Sequence, residues 1–145
     1  MTAELEALEL AKAAAQAAAS VKAIDIKALD VTERLALTDV FVLASGHSER
    51  QVTAIVDHIE ERVLALGLKP RREGRGGARW VLLDFGPVVV HVFHADDRDY
   101  YGLERLWKDC PPVDVTEALR DGAAEAAEMA ELDLGADPAL AAVGD

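Results

Sequence analysis

Cysteine is nearly absent from this sequence: Cys110 is the only one in 145 residues, so no internal disulfide can brace the fold. That usage fits a reducing compartment. Long hydrophobic runs are missing too, and no apolar stretch approaches the roughly 20 residues that a membrane-spanning helix requires. Met1-Thr2-Ala3-Glu4 has no basic start, and Lys12 and Gln16 interrupt the alanines that follow, so no signal peptide is read there. The expected location is cytoplasmic. Basic charge is also short, with a net charge of −12. From Asp114 onward nine acidic residues face one basic residue, Arg120, whereas residues 1–113 hold 18 acidic and 14 basic ones. Neither part has the basic stripe that phosphate-backbone binding needs, which argues against a sequence-specific nucleic-acid binder. Arg71, Arg72, Arg75 and Arg79 form the one basic cluster, in or beside a Gly-rich stretch, and read as a solvated loop ahead of the alternative, an RNA contact.

What is present is enough apolar material for a core, 51% of residues, which excludes a wholly disordered chain. A first helix is expected from a Thr2 cap to about Ser20. Its alanines give propensity but little to bury, so a modest hold on the body is expected. Ile24 and Ile26 alternate with Asp25 and Lys27 in a half-buried strand over 23–29, and Val40-Phe41-Val42-Leu43-Ala44 reads as an interior strand. Ser48-Glu49-Arg50-Gln51 has capping-box spacing. Val52, Ile55, Val56, Ile59, Val63 and Leu66 then recur at helical spacing up to Gly67. Leu68 to Arg72, with Pro70 inside, is at best an edge strand, and residues 74–78 read as a loop.

Residues 80–84 and 88–94 read as a hairpin about Phe85-Gly86, pairing Leu82 with Val89 and Trp80 with His91. Val81, Leu83, Val88, Val90 and Val92 then share a core-like face. A short turn and helix are expected over 96–108, ended by Pro111-Pro112. The order predicts an α/β fold, a mixed β-sheet flanked by helices. The body is assigned to 1–113, and the acidic, Ala-rich tail 114–145 to a lone helix or disorder.

Catalytic constellations are weak. Ser45-Gly46-His47-Ser48 lies between a strand and a helix start, where backbone N–H groups can hold an anion, and a nucleotidyltransferase using that turn is the enzyme alternative. Such an enzyme needs paired carboxylates for magnesium, yet Asp84 has no acidic residue two positions away and Asp25 has Lys27 in that place. A tight turn with a capping box explains the same residues. His91 and His94 point to opposite faces of a strand, His47 and His58 are no better spaced, and Cys110 has no cysteine partner, so no metal site is expected. Cys110 also lacks a neighbouring base.

Aromatics make up only 5% of the chain, and both tryptophans and both tyrosines fall between Trp80 and Trp107. Trp, Tyr and Arg are common interface anchors. Trp80, Tyr100 and Tyr101 are read as surface contacts, while Leu103 and Trp107 fit core and contact equally.

Three blocks in register carry a resemblance. Thr38-Asp39-Val40-Phe41-Val42-Leu43-Ala44-Ser45-Gly46-His47-Ser48 with Arg50-Gln51-Val52 is the first. The second runs Trp80-Val81-Leu82-Leu83-Asp84-Phe85-Gly86, then Pro87 to His94. Arg98-Asp99-Tyr100-Tyr101 with Leu103-Glu104-Arg105-Leu106-Trp107 closes the set. Over residues 4–112 the chain resembles the ribosomal silencing factor (RsfS, or Iojap) family. The resemblance implies a nucleotidyltransferase-like fold lacking the catalytic carboxylates, no enzymatic activity and no cofactor. It implies binding to the large ribosomal subunit through ribosomal protein fourteen of that subunit, blocking of subunit joining when nutrients are scarce, and an ability to form homodimers. Pro87 departs from the family, which commonly has an acidic residue after the glycine. With the aromatic placement, the expected partner-binding set is Trp80, Leu82, Asp84, Phe85, His91, Asp99, Tyr100, Tyr101, Leu103, Glu104 and Arg105.

Overall fold

The computed structural model describes residues 3–75 and 78–136. Five strands form one mixed sheet in the order β1-β2-β5-β4-β3: β1 (Ile24–Asp30), β2 (Val40–Gly46), β3 (Arg71–Arg75), β4 (Trp80–Asp84) and β5 (Val88–His94). β2 and β5 pair in parallel at the centre, and the other pairings are antiparallel. Every residue of β2 and β5 is buried, as their unbroken apolar runs require of strands covered on both faces.

One face of the sheet carries Val40, Val42, Val81, Leu83, Val88, Val90 and Val92. Two helices cover it, α1 (Leu5–Ser20) and α2 (Glu49–Leu64). α2 begins as its sequence dictates: Gln51 N–H donates to Ser48 Oγ at 3.1 Å and His47 N–H to Gln51 Oε1 at 2.7 Å. Val52, Ile55, Val56, Ile59 and Val63 form the buried stripe, and Gly67, at φ 89°, follows the helix end.

α1 overturns the expectation of a modest hold. Ala7, Ala11, Ala14, Ala15, Ala17 and Ala18 are each no more than 1% exposed, sandwiched between the sheet and a further helix, α5 (Thr116–Ala136). Small side chains let backbones approach closely, so each methyl group is fully covered although each buries little area. The expected Thr2 cap lies outside the described residues. The helix starts after Glu4, whose side chain makes no cap. Ala3 N–H donates to Asp30 Oδ2 at 3.0 Å and Glu4 N–H to Asp39 Oδ2 at 3.2 Å, tying this entry to the body.

The tail also departs from expectation. Its first 21 helical residues are neither disordered nor a lone helix, because α5 packs along α1 with Val115, Ala118, Gly122 and Ala126 buried. A Cβ on Gly122 would meet Ala19 Cβ and the Gln16 carbonyl oxygen at 2.5 Å, so glycine is what permits this crossing. Arg62 pairs with Glu125 at 2.7 Å and ties α5 to α2 as well. Residues 137–145 lie outside the described residues.

The hairpin register is two residues away from the expected one. Trp80 pairs with Phe93, Leu82 with His91 and Asp84 with Val89, because the turn takes in Phe85 to Val88, closed by Phe85 N–H to the Val88 carbonyl at 2.9 Å. A slip of two preserves which residues share a face, whereas a slip of one would have inverted the sheet. β3 starts later than expected, and Gly74 and Arg75 pair with Val81 and Trp80 where a loop was anticipated.

Candidate functional site

Among the described residues no long helix lies over the sheet's second face. Phe41, Leu43, Val89 and Phe93 form its floor with Val31 and Cys110, and Leu29, Leu35, Trp80, Leu82, Tyr101, Leu103 and Trp107 are partly buried around them. The cover is the 31–39 loop and two short helices, α3 (Ala95–Tyr101) and α4 (Leu103–Leu106), with Gly102 between them at φ 62°. Most of the aromatic side chains therefore converge here, half in and half out.

Trp80 is the centre of this surface. Its ring lies 5.3 Å from Phe93 and 4.6 Å from Tyr101, and its Nε1–H donates to His91 Nδ1 at 3.2 Å. Tyr100, 85% exposed, stands edge-on to Tyr101 at 5.5 Å. Leu82 and Trp80 flank a hollow of about 160 Å³ bounded by Glu73 and Gly74 of β3. Asp99 and Arg105 are exposed at the rim. Trp107, left open by the sequence, packs edge-on against Phe41 at 4.9 Å while the Arg34 guanidinium sits 4.7 Å from its ring centre.

Several expected contact residues have other employment. Phe85 is 7% exposed and belongs to the opposite, helix-covered core, so it is no part of this surface. His91 is 4% exposed and lies beneath the surface, 4.8 Å from Phe41, where it holds the Trp80 indole. Asp84 Oδ1 accepts from Gly86 N–H at 2.8 Å and shapes the hairpin turn. Glu104 is bound to Arg98 and Lys27 at 2.7 and 2.8 Å. Burial pushes its carboxyl up, but the hydrogen bonds and positive charges of Arg98 and Lys27 together outweigh this and hold it below the usual carboxylate range.

The sequence reading missed Arg98. Its guanidinium reaches into the structure, giving Nε to Glu104 and Nη1 to Ser45 Oγ at 2.8 Å. Ser45 is fully buried, so its hydroxyl faces Arg98 instead of an open cradle. At Gly46 an added Cβ would come within 3.0 Å of the Val52 nitrogen, so this glycine serves the close strand-to-helix packing. Ser45 pairs with Phe93 on β5 while Asp84 pairs with Val89, four residues away. At about 3.3 Å per residue this separates them by about 13 Å along the strands alone, with β5 lying between them as well, too far to share one ion. Among the described residues no group of three or more His, Cys, Asp or Glu is placed to hold a metal. No helix among them is long and apolar enough to cross a membrane.

Burial lowers the His91 pKa from 6.5 to about 4. The unfolded chain therefore binds a proton that the folded chain refuses as pH falls from 6.5 towards 4. Stability is complete well above 6.5 and falls as pH drops towards 4, by about 2 kcal/mol between neutral pH and pH 5, approaching about 1.36 kcal/mol per unit between the two pKa values. His91→Gln, which keeps an acceptor for the indole but does not titrate, should flatten this part of the stability-against-pH curve in urea titrations. An unchanged slope would assign the proton uptake elsewhere.

The family described as "Ribosomal silencing factor during starvation" matches residues 4–137. The ribosomal silencing factor RsfS of Bacillus subtilis is 45% identical over 105 residues, 72% of this chain and 89% of that protein. A crystal structure of a Chromobacterium violaceum protein is similar with a TM-score of 0.67 at 36% identity, over 72% of this chain and 87% of that one. The mouse protein named "Mitochondrial assembly of ribosomal large subunit protein 1" is 33% identical over 87 residues, 57% of this chain and 38% of that protein.

Proposed function

The chain belongs to the ribosomal silencing factor family, and we propose that it binds the large ribosomal subunit through ribosomal protein fourteen and excludes the small subunit by its bulk. The observation that carries this reading is the half-exposed cluster of Trp80, Leu82, Tyr101 and Leu103 on a sheet face that no long helix among the described residues covers. Such a cluster, with exposed Asp99, Tyr100 and Arg105 around it, has the anatomy of an interface: an aromatic centre and a polar rim. Ribosomal proteins are generally basic, so the acidity of this chain speeds encounter more than it deepens affinity.

Exclusion needs no conformational change. A folded body seated on the intersubunit face occupies volume that the other subunit requires. The same reading takes the framework as nucleotidyltransferase-like and used without catalysis in the cytoplasm, and takes the free protein as able to pair with a second copy. The test is sedimentation of mixed subunits through sucrose with and without saturating protein. The expected result is fewer joined ribosomes, with the protein migrating alongside the large subunit. Unimpaired joining, with no protein on the large subunit, would overturn the reading.

A further inference from the structure

The two short helices that carry Tyr100, Tyr101, Leu103 and Arg105 are held in an unusual way. α3 has one buried residue, Arg98, and α4 has none. Tyr101 and Leu103 are only half-buried, and Tyr100 and Leu106 are exposed. A helix normally docks through an apolar stripe. Here the deepest tie is ionic. The Arg98 side chain is 7% exposed and bridges Ser45 on the central strand to Glu104 on α4, and Glu104 passes the link to Lys27 on β1. One guanidinium thus joins β2, α3 and α4, and through Glu104 reaches the edge strand.

We propose that Arg98 is a positioning residue for partner binding, fixing the Tyr100-to-Leu106 segment against the sheet in the arrangement the partner meets. This rests on the reading of that face as the contact surface. Arg98 itself, being buried, touches no partner. Its planar fork donates to two fixed acceptors in different elements at once, which a lysine ammonium on a flexible stem cannot reproduce with the same geometry. Its Nη2 finds no hydrogen-bond partner among the described residues, so the burial of this cation is compensated by the Ser45 and Glu104 bonds alone. Residues 102–106 are otherwise held by half-buried side chains and by two ties at the surface, Lys27 to Glu104 and Arg34 Nη1 to the Leu106 carbonyl at 3.4 Å, and without the buried bridge they would sample other arrangements.

A residue that orders a surface acts on a different kinetic step from a residue that touches the partner. If only a fraction of molecules has the segment in place, association slows by that fraction while the completed complex dissociates as before. A lost contact raises the dissociation rate instead. The experiment measures both rates for large-subunit binding with the full chain, comparing Arg98→Met, Arg98→Lys, Glu104→Gln and Trp80→Ala. It also times trypsin cleavage after Arg105 and Lys108.

Arg98→Met should slow association about tenfold, leave dissociation within about twofold, and hasten cleavage at those two sites. Arg98→Lys should fall between it and the native chain. Unchanged cleavage of Arg98→Met, or an unchanged association rate while Trp80→Ala still weakens binding, would overturn the proposal. If Trp80→Ala has no effect on binding, the contact-surface reading fails, and the positioning of the segment is then decided by cleavage alone. Should Arg98→Met not fold, Glu104→Gln, which keeps the acceptor and removes its charge, carries the same two readouts with a smaller expected slowing.

Discussion

Replacing Gly122 with valine should destabilise the protein by about 3 kcal/mol or more and release α5 from α1. Intrinsic propensity points the other way, because a glycine inside a helix costs about 1 kcal/mol relative to alanine. The packing reverses that preference. Even a single Cβ at this position lies 2.5 Å from the Gln16 carbonyl oxygen and from Ala19 Cβ, and a backbone oxygen within a helix cannot rotate away. Gly122→Ala should therefore destabilise despite its better propensity, and the branched valine should force the helices apart. Separation would also expose Val115, Ala118 and Ala126 and strain the Arg62–Glu125 pair. Chemical denaturation of Gly122→Ala, Gly122→Val and, as a control, Ala124→Val on the exposed side of α5 decides the matter. A stabilised Gly122→Ala would mean that α5 does not pack on α1 at this distance.

That contact also marks where sequence reading ran out. The sheet was legible because its signals are large: an unbroken apolar run at Val40–Ala44, alternation at Val81 and Leu83, and a capping box at Ser48 each have one structural meaning. The α1–α5 pair has no such signal. Alanine counts for little in a hydrophobic pattern, and the value of Ala14, Ala15 and Ala18 comes from how closely another backbone approaches, which depends on tertiary geometry. The hairpin register was missed for a related reason. Phe85-Gly86 looks like a two-residue turn, whereas the Phe85-to-Val88 closure sets the pairing, with Asp84 capping the Gly86 N–H.

On the candidate site the sequence put Trp80 and Leu82 on one face, because alternation along β4 survives a slip of two residues, and Tyr101 joins them from α3. It misplaced Phe85 because a turn residue has no fixed side, and here the ring swings under the helices. His91 was assigned the correct face but not the correct depth, since Trp80 lies over it. Arg98 escaped because charged residues are almost never fully buried unless paired, and its partners Ser45 and Glu104 lie 53 and 6 residues away.

Trp80→Ala should weaken binding to the large subunit by about 30-fold or more, which corresponds to about 2 kcal/mol at an interface anchor. The argument does not depend on exposed area alone, because Tyr100 is far more exposed and should matter less. Tyr100 touches only Tyr101 among the rings, so its side chain must be ordered by the partner at a cost in conformational entropy. Trp80 is already fixed by Phe93, Tyr101 and the hydrogen bond to His91, so its indole is presented to a partner with little further loss of freedom. Removing it also leaves His91 Nδ1 without that donor, which lowers stability, so melting curves must accompany the binding curves. Trp80→Phe separates the two effects: it retains most of the aromatic surface but loses the indole N–H, and should cost stability while sparing most of the affinity. Leu82→Ala, half-buried beside the hollow bounded by Glu73 and Gly74, should fall between Tyr100→Ala and Trp80→Ala. If Tyr100→Ala weakens binding more than Trp80→Ala does, the anchor lies on α3 and the sheet face is only its support.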